Sequence, residues 1–184
     1  MPQETYIPCL LQLFRQHGYD GATLSKISEA TGLGKASLYH HFPGGKEEMV
    51  RAVLDHLGAG LEQNILQALR SEGDTLTRLQ RMCDRISELY EGGEQPCLFA
   101  ILLMGSAREI FHPQVQNLLR TWIDAIAEVL MTAGLDETLA HQRGEDAAIA
   151  VQGALILSHG LNDLAPFRRV IKQLPQQLYR DIVG

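Results

Sequence analysis

Apolar residues recur along the chain at spacings of three and four. No five-residue stretch alternates apolar and polar as a half-buried strand does, so the pattern predicts an all-α protein of about nine helices. Ile7, Leu10, Leu11 and Phe14 stripe a first helix ending at His17-Gly18, with Pro8 in its first turn, where a missing N–H has no partner to lose. Thr23 is a good N-cap for a short helix over 24–31. Gly32-Leu33-Gly34 breaks it, a second short helix spans 35–41, and Phe42-Pro43-Gly44-Gly45 ends that one. Val50, Val53, Leu54, Leu57, Leu61 and Leu69 then line one face of a helix over about 46–70, and Glu47 and Glu48 sit at the positive end of its dipole. Leu76, Leu79, Met82, Cys83, Ile86 and Tyr90 define the next helix, closed by Gly92-Gly93. A mostly apolar helix over about 97–108 precedes His112-Pro113, beyond which a stripe from Val115 to Leu130 repeats every 3.6 residues up to Gly134. The last helix starts at Ala165-Pro166 and is expected to kink or break at Pro175.

The segment 147–157 differs in kind, because its apolar residues surround the helix and only Gln152 interrupts them. It is too short to span a bilayer, so it must be covered on every side by protein. In a small chain one face meets the core; the other is expected to meet a second copy, with Ile149, Gln152, Gly153 and Ile156 as the dimerisation residues.

Residues 23–42 carry the functional signal. Two helices of about two turns each, joined by a tight glycine-containing turn, make a helix-turn-helix. Ile27, Leu33 and Leu38 are expected to plug the crevice between the two helices. Ser28 must be small where they approach, and Gly32 supplies the turn. The second helix then leaves Lys35, Ala36, Ser37, Tyr39 and His40 outside, small or hydrogen-bonding side chains suited to a major groove.

Composition refines this picture. The chain has 184 residues with 45% hydrophobic and 21% charged, enough for a full core and one to two domains. A net charge of -6 taken alone speaks against nucleic acid, but residues 1–48 hold four cations, Arg15, Lys26, Lys35 and Lys46, against five acids, so any basic face is made by arrangement. Cys9, Cys83 and Cys97 are odd in number and irregularly spaced, which argues against disulfides and a zinc ribbon. No apolar stretch reaches membrane-spanning length and the start lacks a signal-peptide pattern, so a cytoplasmic protein with no membrane partner is expected. Gly32-x-Gly34-Lys35 is no phosphate loop, since Ala36 replaces the required hydroxyl and no strand precedes it. His40 and His41 are adjacent and cannot share a helix face, and no catalytic or cofactor arrangement stands out. No metal, cofactor or enzymatic activity is expected.

Residues 10–54 closely resemble the DNA-binding domain of TetR/AcrR-type transcriptional repressors: the first helix, Gly18-Tyr19, the helix pair, Leu38-Tyr39-His40-His41-Phe42 and Lys46-Glu47-Glu48-Met49. The stretch Phe42-Pro43-Gly44-Gly45-Lys46-Glu47-Glu48 is similar to the branch that includes the lincomycin-resistance repressors. The resemblance implies that Lys35, Ala36 and Ser37 face base edges, while Thr23, Ser25, Tyr39, His40, His41 and Lys46 position the phosphate backbone. It implies a DNA-binding domain over 1–48 and a helical regulatory, ligand-binding and dimerisation domain over 49–184. Such a protein binds a near-palindromic double-stranded operator as a homodimer and is released by a small-molecule inducer. An apolar or amphipathic inducer suits candidate cavity residues Met82, Phe99, Leu103, Met104, Phe111, Trp122 and His159, large soft side chains that can line an adaptable pocket. The first helix departs from its relatives in lacking an early cation, so the salt dependence of DNA binding is expected to be shallow. The competing reading is an interaction protein or small helical enzyme whose helix pair is only architecture.

Overall fold

The computed structural model describes residues 3–180. Among these the regular structure is helical and no strand occurs, as the apolar spacing predicts. The α-helices are α1 (Ile7–Gly21), α2 (Leu24–Thr31), α3 (Lys35–His41), α4 (Gly45–Gly60), α5 (Gln67–Arg70), α6 (Thr75–Leu89), α7 (Leu98–Met104), α8 (Arg108–Thr132), α9 (Glu137–Leu161) and α10 (Ala165–Tyr179). α4 and α5 are joined through a π-helical stretch, Leu61–Leu66, so nine helical runs stand where about nine are expected.

Most boundaries follow the local chemistry. α1 leaves helical geometry at Gly18, where φ is 64°. α2 starts under Thr23, whose hydroxyl accepts the Lys26 N–H at 3.4 Å, and α6 under Asp74, whose carboxylate accepts the Thr77 N–H at 2.7 Å. That bond holds the exposed Asp74 carboxyl below its ordinary range.

Three expectations need correction. The helix expected over 97–108 ends at Met104, and α8 begins at Arg108, so the boundary lies at 105–107 and not at His112-Pro113. Pro113 sits close enough to the start of α8 that it forfeits one early hydrogen bond, while the buried Phe111 fixes the turn. Pro175 does not end the last helix either. α10 runs through it to Tyr179 with Leu174, Pro175 and Leu178 all buried, so packing outweighs one lost amide bond. The run from 45 to 70 is not uniformly 3.6-periodic. At Leu61–Leu66 the Asn64 side-chain amide donates to the Gly60 carbonyl at 3.0 Å and the ladder widens to i→i+5, closing with the Gln67 N–H on the Glu62 carbonyl. Leu57, still within α4, and Leu61, at the start of the widened stretch, are only half-buried, and Ile65 and Leu66 continue the core beyond them.

The chain forms two compact units, one of Met1–Ala59 with Cys97–Gln116 and one of Gly60–Pro96 with Asn117–Gly184. Residues 1–2 and 181–184 of the expected 1–48 and 49–184 segments lie outside the described residues. Phe14, Phe42 and Phe111 head the buried side chains of the first unit, with Leu10, Ile27, Leu38, Met49 and Leu54. In the second, Leu79, Met82, Ile86, Ile126, Leu155 and Phe167 are buried. Two details fix the helices there. A Cβ on Gly144 of α9 would lie 2.7 Å from the Ile123 carbonyl of α8, so only glycine allows this crossing. The Arg143 guanidinium donates to the Leu178 carbonyl at 2.8 Å and to the Arg180 carbonyl, supplying partners for the open end of α10. No helix among the described residues is long and apolar enough to cross a membrane.

Candidate nucleic-acid interface

The helix pair is held by a short set of bonds across its turn. α2 ends at Gly32 in the left-handed region, φ 71°. The Thr31 hydroxyl donates back to the Ile27 carbonyl at 2.7 Å and accepts the Leu33 N–H at 3.3 Å, while the Ser28 hydroxyl donates to the Leu33 carbonyl. Ser28 is thus small and also a hydrogen-bonding tie. Ile27 and Leu38 are fully buried as expected of crevice plugs. Leu33 is not: it is half-buried and, with Leu24, Ser28 and Lys35, lines an open groove of about 500 Å³ along the pair, because the turn carries its side chain to the edge of the crevice.

On α3, Lys35, Ala36, Ser37, Tyr39 and His40 are all exposed, Tyr39 at 42%, whereas Leu38 points inward. Thr23 and Ser25 are exposed at the start of α2. His41 turns away from this row. It is half-buried, its ring lies 5.3 Å from that of Tyr6, and the Gln3 side-chain amide donates to its backbone carbonyl.

The turn into α4 explains the Gly44-Gly45 pair. Gly45 has φ of 66° and donates its N–H to the Phe42 carbonyl at 2.9 Å; a Cβ there would meet the Tyr39 ring at an ordinary contact distance of 3.5 Å, so it is the left-handed backbone that calls for glycine. The Gly44 N–H donates to the Glu48 carboxylate at 2.6 Å, and Glu47 pairs with Arg51 at 2.8 Å, so both first-turn acids are engaged. Lys46 next door is half-buried. Its ammonium donates to the Tyr19 carbonyl at 2.7 Å and stands 4.3 Å above the Tyr19 ring. The Tyr19 phenol is pushed above its ordinary range by burial and then by the nearby Glu47 and Asp20 carboxylates. Its ring meets Phe111 edge-on at 5.5 Å. The Ser106 hydroxyl donates to the Asp20 carboxylate at 2.7 Å, and the Gln114 amide donates to Asp55 at 2.6 Å.

The last three contacts are those sequence reasoning missed. They bring 97–116 into the same compact unit as the helix pair, and partners 86 residues apart leave no periodic trace. The cations divide sharply. Arg15 is buried, Lys46 is tied to Tyr19, and Lys26 and Lys35 are exposed, with the Lys26 ammonium 3.3 Å from His17 Nδ1. The surface is therefore sparsely charged, and its chemistry is hydroxyls, imidazoles and two exposed ammonium groups, that of Lys26 beside the His17 ring.

The remaining nominated residues are dispersed. In the first unit Phe111 is buried, Phe99 and Leu103 are half-buried, and Met104 is 87% exposed. Met104 therefore lies at the surface and not in a core, since the helix stops there. In the second unit Met82 and Trp122 are buried, and the Trp122 indole N–H has no acceptor among the described residues. His159 is exposed near the end of α9. The all-round apolar segment splits cleanly: Ala147, Ala148, Val151, Ala154 and Leu155 are buried, while Ile149 at 68%, Gly153 and Ile156 at 62% are exposed, with Gln152 between. Leu157, Gly160 and Leu161 extend that outer face and were missed; the series 149, 153, 156, 160 at steps of four, three and four is a signal that could have found them.

Comparison with known proteins bears on both halves. The family described as bacterial regulatory proteins, tetR family, matches residues 10–53, and that described as transcriptional regulator LmrA/YxaF-like, C-terminal domain, matches residues 75–173. The HTH-type transcriptional regulator LmrA of Bacillus subtilis is 25% identical over 186 residues, covering 97% of both chains. The uncharacterized HTH-type transcriptional regulator YxaF of the same organism is 26% identical over 168 residues, 89% of this chain and 88% of that protein. Among solved structures, a TetR transcriptional regulator from Legionella pneumophila superposes with TM-score 0.80 at 20% identity over 94% of each chain. One from Chloroflexus aurantiacus gives 0.78 at 21% identity, over 97% of this chain and 94% of that one. At these identities the structures speak for the fold.

Proposed function

This chain belongs to the TetR family of transcriptional regulators, with an LmrA/YxaF-like C-terminal domain, and on that premise we propose that it is a ligand-responsive repressor: a homodimer that binds a near-palindromic operator and lets go when a small inducer binds. As a transcriptional regulator it is not an enzyme. The observation that carries the reading is the exposed row Lys35, Ala36, Ser37, Tyr39 and His40 on a helix whose inward side chain, Leu38, is buried. In a major groove, Lys35 and Ser37 offer hydrogen bonds to base edges and Ala36 allows close approach. Thr23, Ser25, Tyr39, His40 and Lys46 serve the phosphates, while His41, half-buried against Tyr6, is the one nominated residue that stands apart from this row. An ammonium has three donors, so Lys46 can keep Tyr19 and still meet a phosphate.

The division of labour proposed is DNA reading by residues 1–48 and regulation, ligand binding and dimerisation by 49–184, in the cytoplasm. Two copies would join through the outer face of α9, Ile149, Gln152, Gly153 and Ile156, where the side chains of Ile149 and Ile156 lack cover from their own chain. A two-fold dimer then presents its reading helices about 34–36 Å apart, one turn of B-DNA. Inducer acts by differential affinity for two arrangements of the dimer, with a coupling of about 1–3 kcal/mol. Of the candidates to meet it, Met82, Phe111 and Trp122 are buried, and the Trp122 N–H, without an acceptor among the described residues, favours an inducer with a hydrogen-bond acceptor. The test is gel retardation of a near-palindromic duplex against a scrambled duplex of equal composition. Preference for the first, relieved by a small molecule, supports the reading; equal affinity for both refutes it.

A further inference from the structure

The second unit contains a recess of about 230 Å³ formed by three helices. Leu69 and Arg70 come from the end of α5, Arg78 from the first turn of α6, and Glu128, Val129 and Thr132 from the last turns of α8. At about 30 Å³ per water this is room for some seven waters, or for a molecule of a few carbon atoms. Leu69 and Val129 are buried and give the recess an apolar floor.

Arg78 is the anomaly in it. The residue is half-buried, its Nε is shut off from solvent without an acceptor, and no ion pair or side-chain hydrogen bond ties its guanidinium to any described residue. The Nε itself is closed to any ligand oxygen, but the terminal Nη pair of this guanidinium has no counter-charge among the described residues, and such a planar fork fits a carboxylate in two parallel bonds. Arg70 beside it is in a different state, its charge already offset by Glu62. Glu128 stands exposed on the rim with no ion-pair partner among the described residues, and its charge repels a dianion more than a singly charged anion at the mouth.

We propose that this recess binds a small monocarboxylate, its carboxylate held by Arg78 and its short apolar tail laid on Leu69 and Val129. The site owes nothing to DNA binding or to the dimer. Hexanoate is the probe, titrated calorimetrically into the full chain, with hexanol and inorganic phosphate as comparators. Hexanoate is expected to bind, hexanol not to bind, and phosphate to bind at least tenfold more weakly. Arg78→Gln should weaken hexanoate at least tenfold, and Glu128→Gln should narrow the gap between hexanoate and phosphate. An NMR titration following the Arg78 Nε–H resonance keeps the idea falsifiable should Arg78→Gln fail to fold: the signal is expected to shift and saturate with hexanoate. No hexanoate binding, binding unchanged in Arg78→Gln, or an Arg78 Nε–H signal that stays still overturns the proposal.

Discussion

At the scale of single residues, the two halves of the DNA-facing surface should separate by kind of effect. Lys46 stands in the first turn of α4, held by the Tyr19 carbonyl, and is proposed to meet the phosphate backbone and no base. Lys46→Ala should weaken binding about equally across sequences, whereas Lys35→Ala and Ser37→Ala should change which sequence is preferred. Selection profiles measured for all three variants check this, and identical profiles would contradict the assignment. Cys83 gives a second residue-scale prediction. Burial and then Asp84 push its thiol up from the ordinary 9.0 to about 12. The folded state thus favours the neutral thiol; that contribution is complete below about pH 9 and is lost as pH rises toward 12. Native protein should leave Cys83 unalkylated by iodoacetamide at pH 8 and lose stability above pH 9, and rapid native-state labelling would contradict the burial. The sequence shows Lys35 and Ser37 as outward residues by helical spacing alone, but the role of Gly45 was legible only as a glycine pair. Its positive φ and the Tyr39 ring against it come from tertiary placement.

At the scale of elements, boundaries set by local chemistry were readable and boundaries set by distant partners were not. α2 and α3 fall on 24–31 and 35–41 as the Thr23 cap and the Gly32-Leu33-Gly34 turn predict. The α7–α8 break escaped notice because Gly105-Ser106-Ala107 is a weaker signal than His112-Pro113, and Ser106 is engaged by Asp20 far back in the chain. Pro175 misled in the other direction, because burial of Leu174 and Leu178 keeps α10 helical through it. The π-helical stretch after Gly60 displaced the stripe that Leu61 was expected to continue. The crossing of α8 and α9 yields a prediction of its own. With 2.7 Å between a Cβ at 144 and the Ile123 carbonyl, Gly144→Ala must push two backbones apart, at a cost of about 1–3 kcal/mol typical of overpacking. Chemical denaturation should show that loss with the helical signal retained; an unchanged midpoint would mean that the crossing yields freely.

At the scale of the whole molecule, an acidic chain of net charge -6 with few exposed cations on α2 and α3 is proposed to bind an acidic polymer, and on that proposal specificity rests on shape, hydroxyls and the pairing of two copies more than on charge. Pairing is the part with the plainest physical demand, since the outer face of α9 exposes Ile149, Ile156, Leu157 and Leu161 on one helix. Ile156→Glu places a charge on that face and should give a folded monomer by light scattering, with operator affinity reduced at least tenfold; a dimer that survives it would move the interface elsewhere. That an uncovered face exists was legible from the apolar belt over 147–157, and which residues form it was decided by the buried partners of Val151 and Leu155. The central claim is sequence-specific DNA binding by this dimer. Unbiased selection of bound duplexes from a random pool, at moderate salt with purified protein, tests it most directly. The account predicts recovery of one near-palindrome with half-sites one helical turn apart or at a related spacing; a verified dimer that enriches no sequence would contradict it.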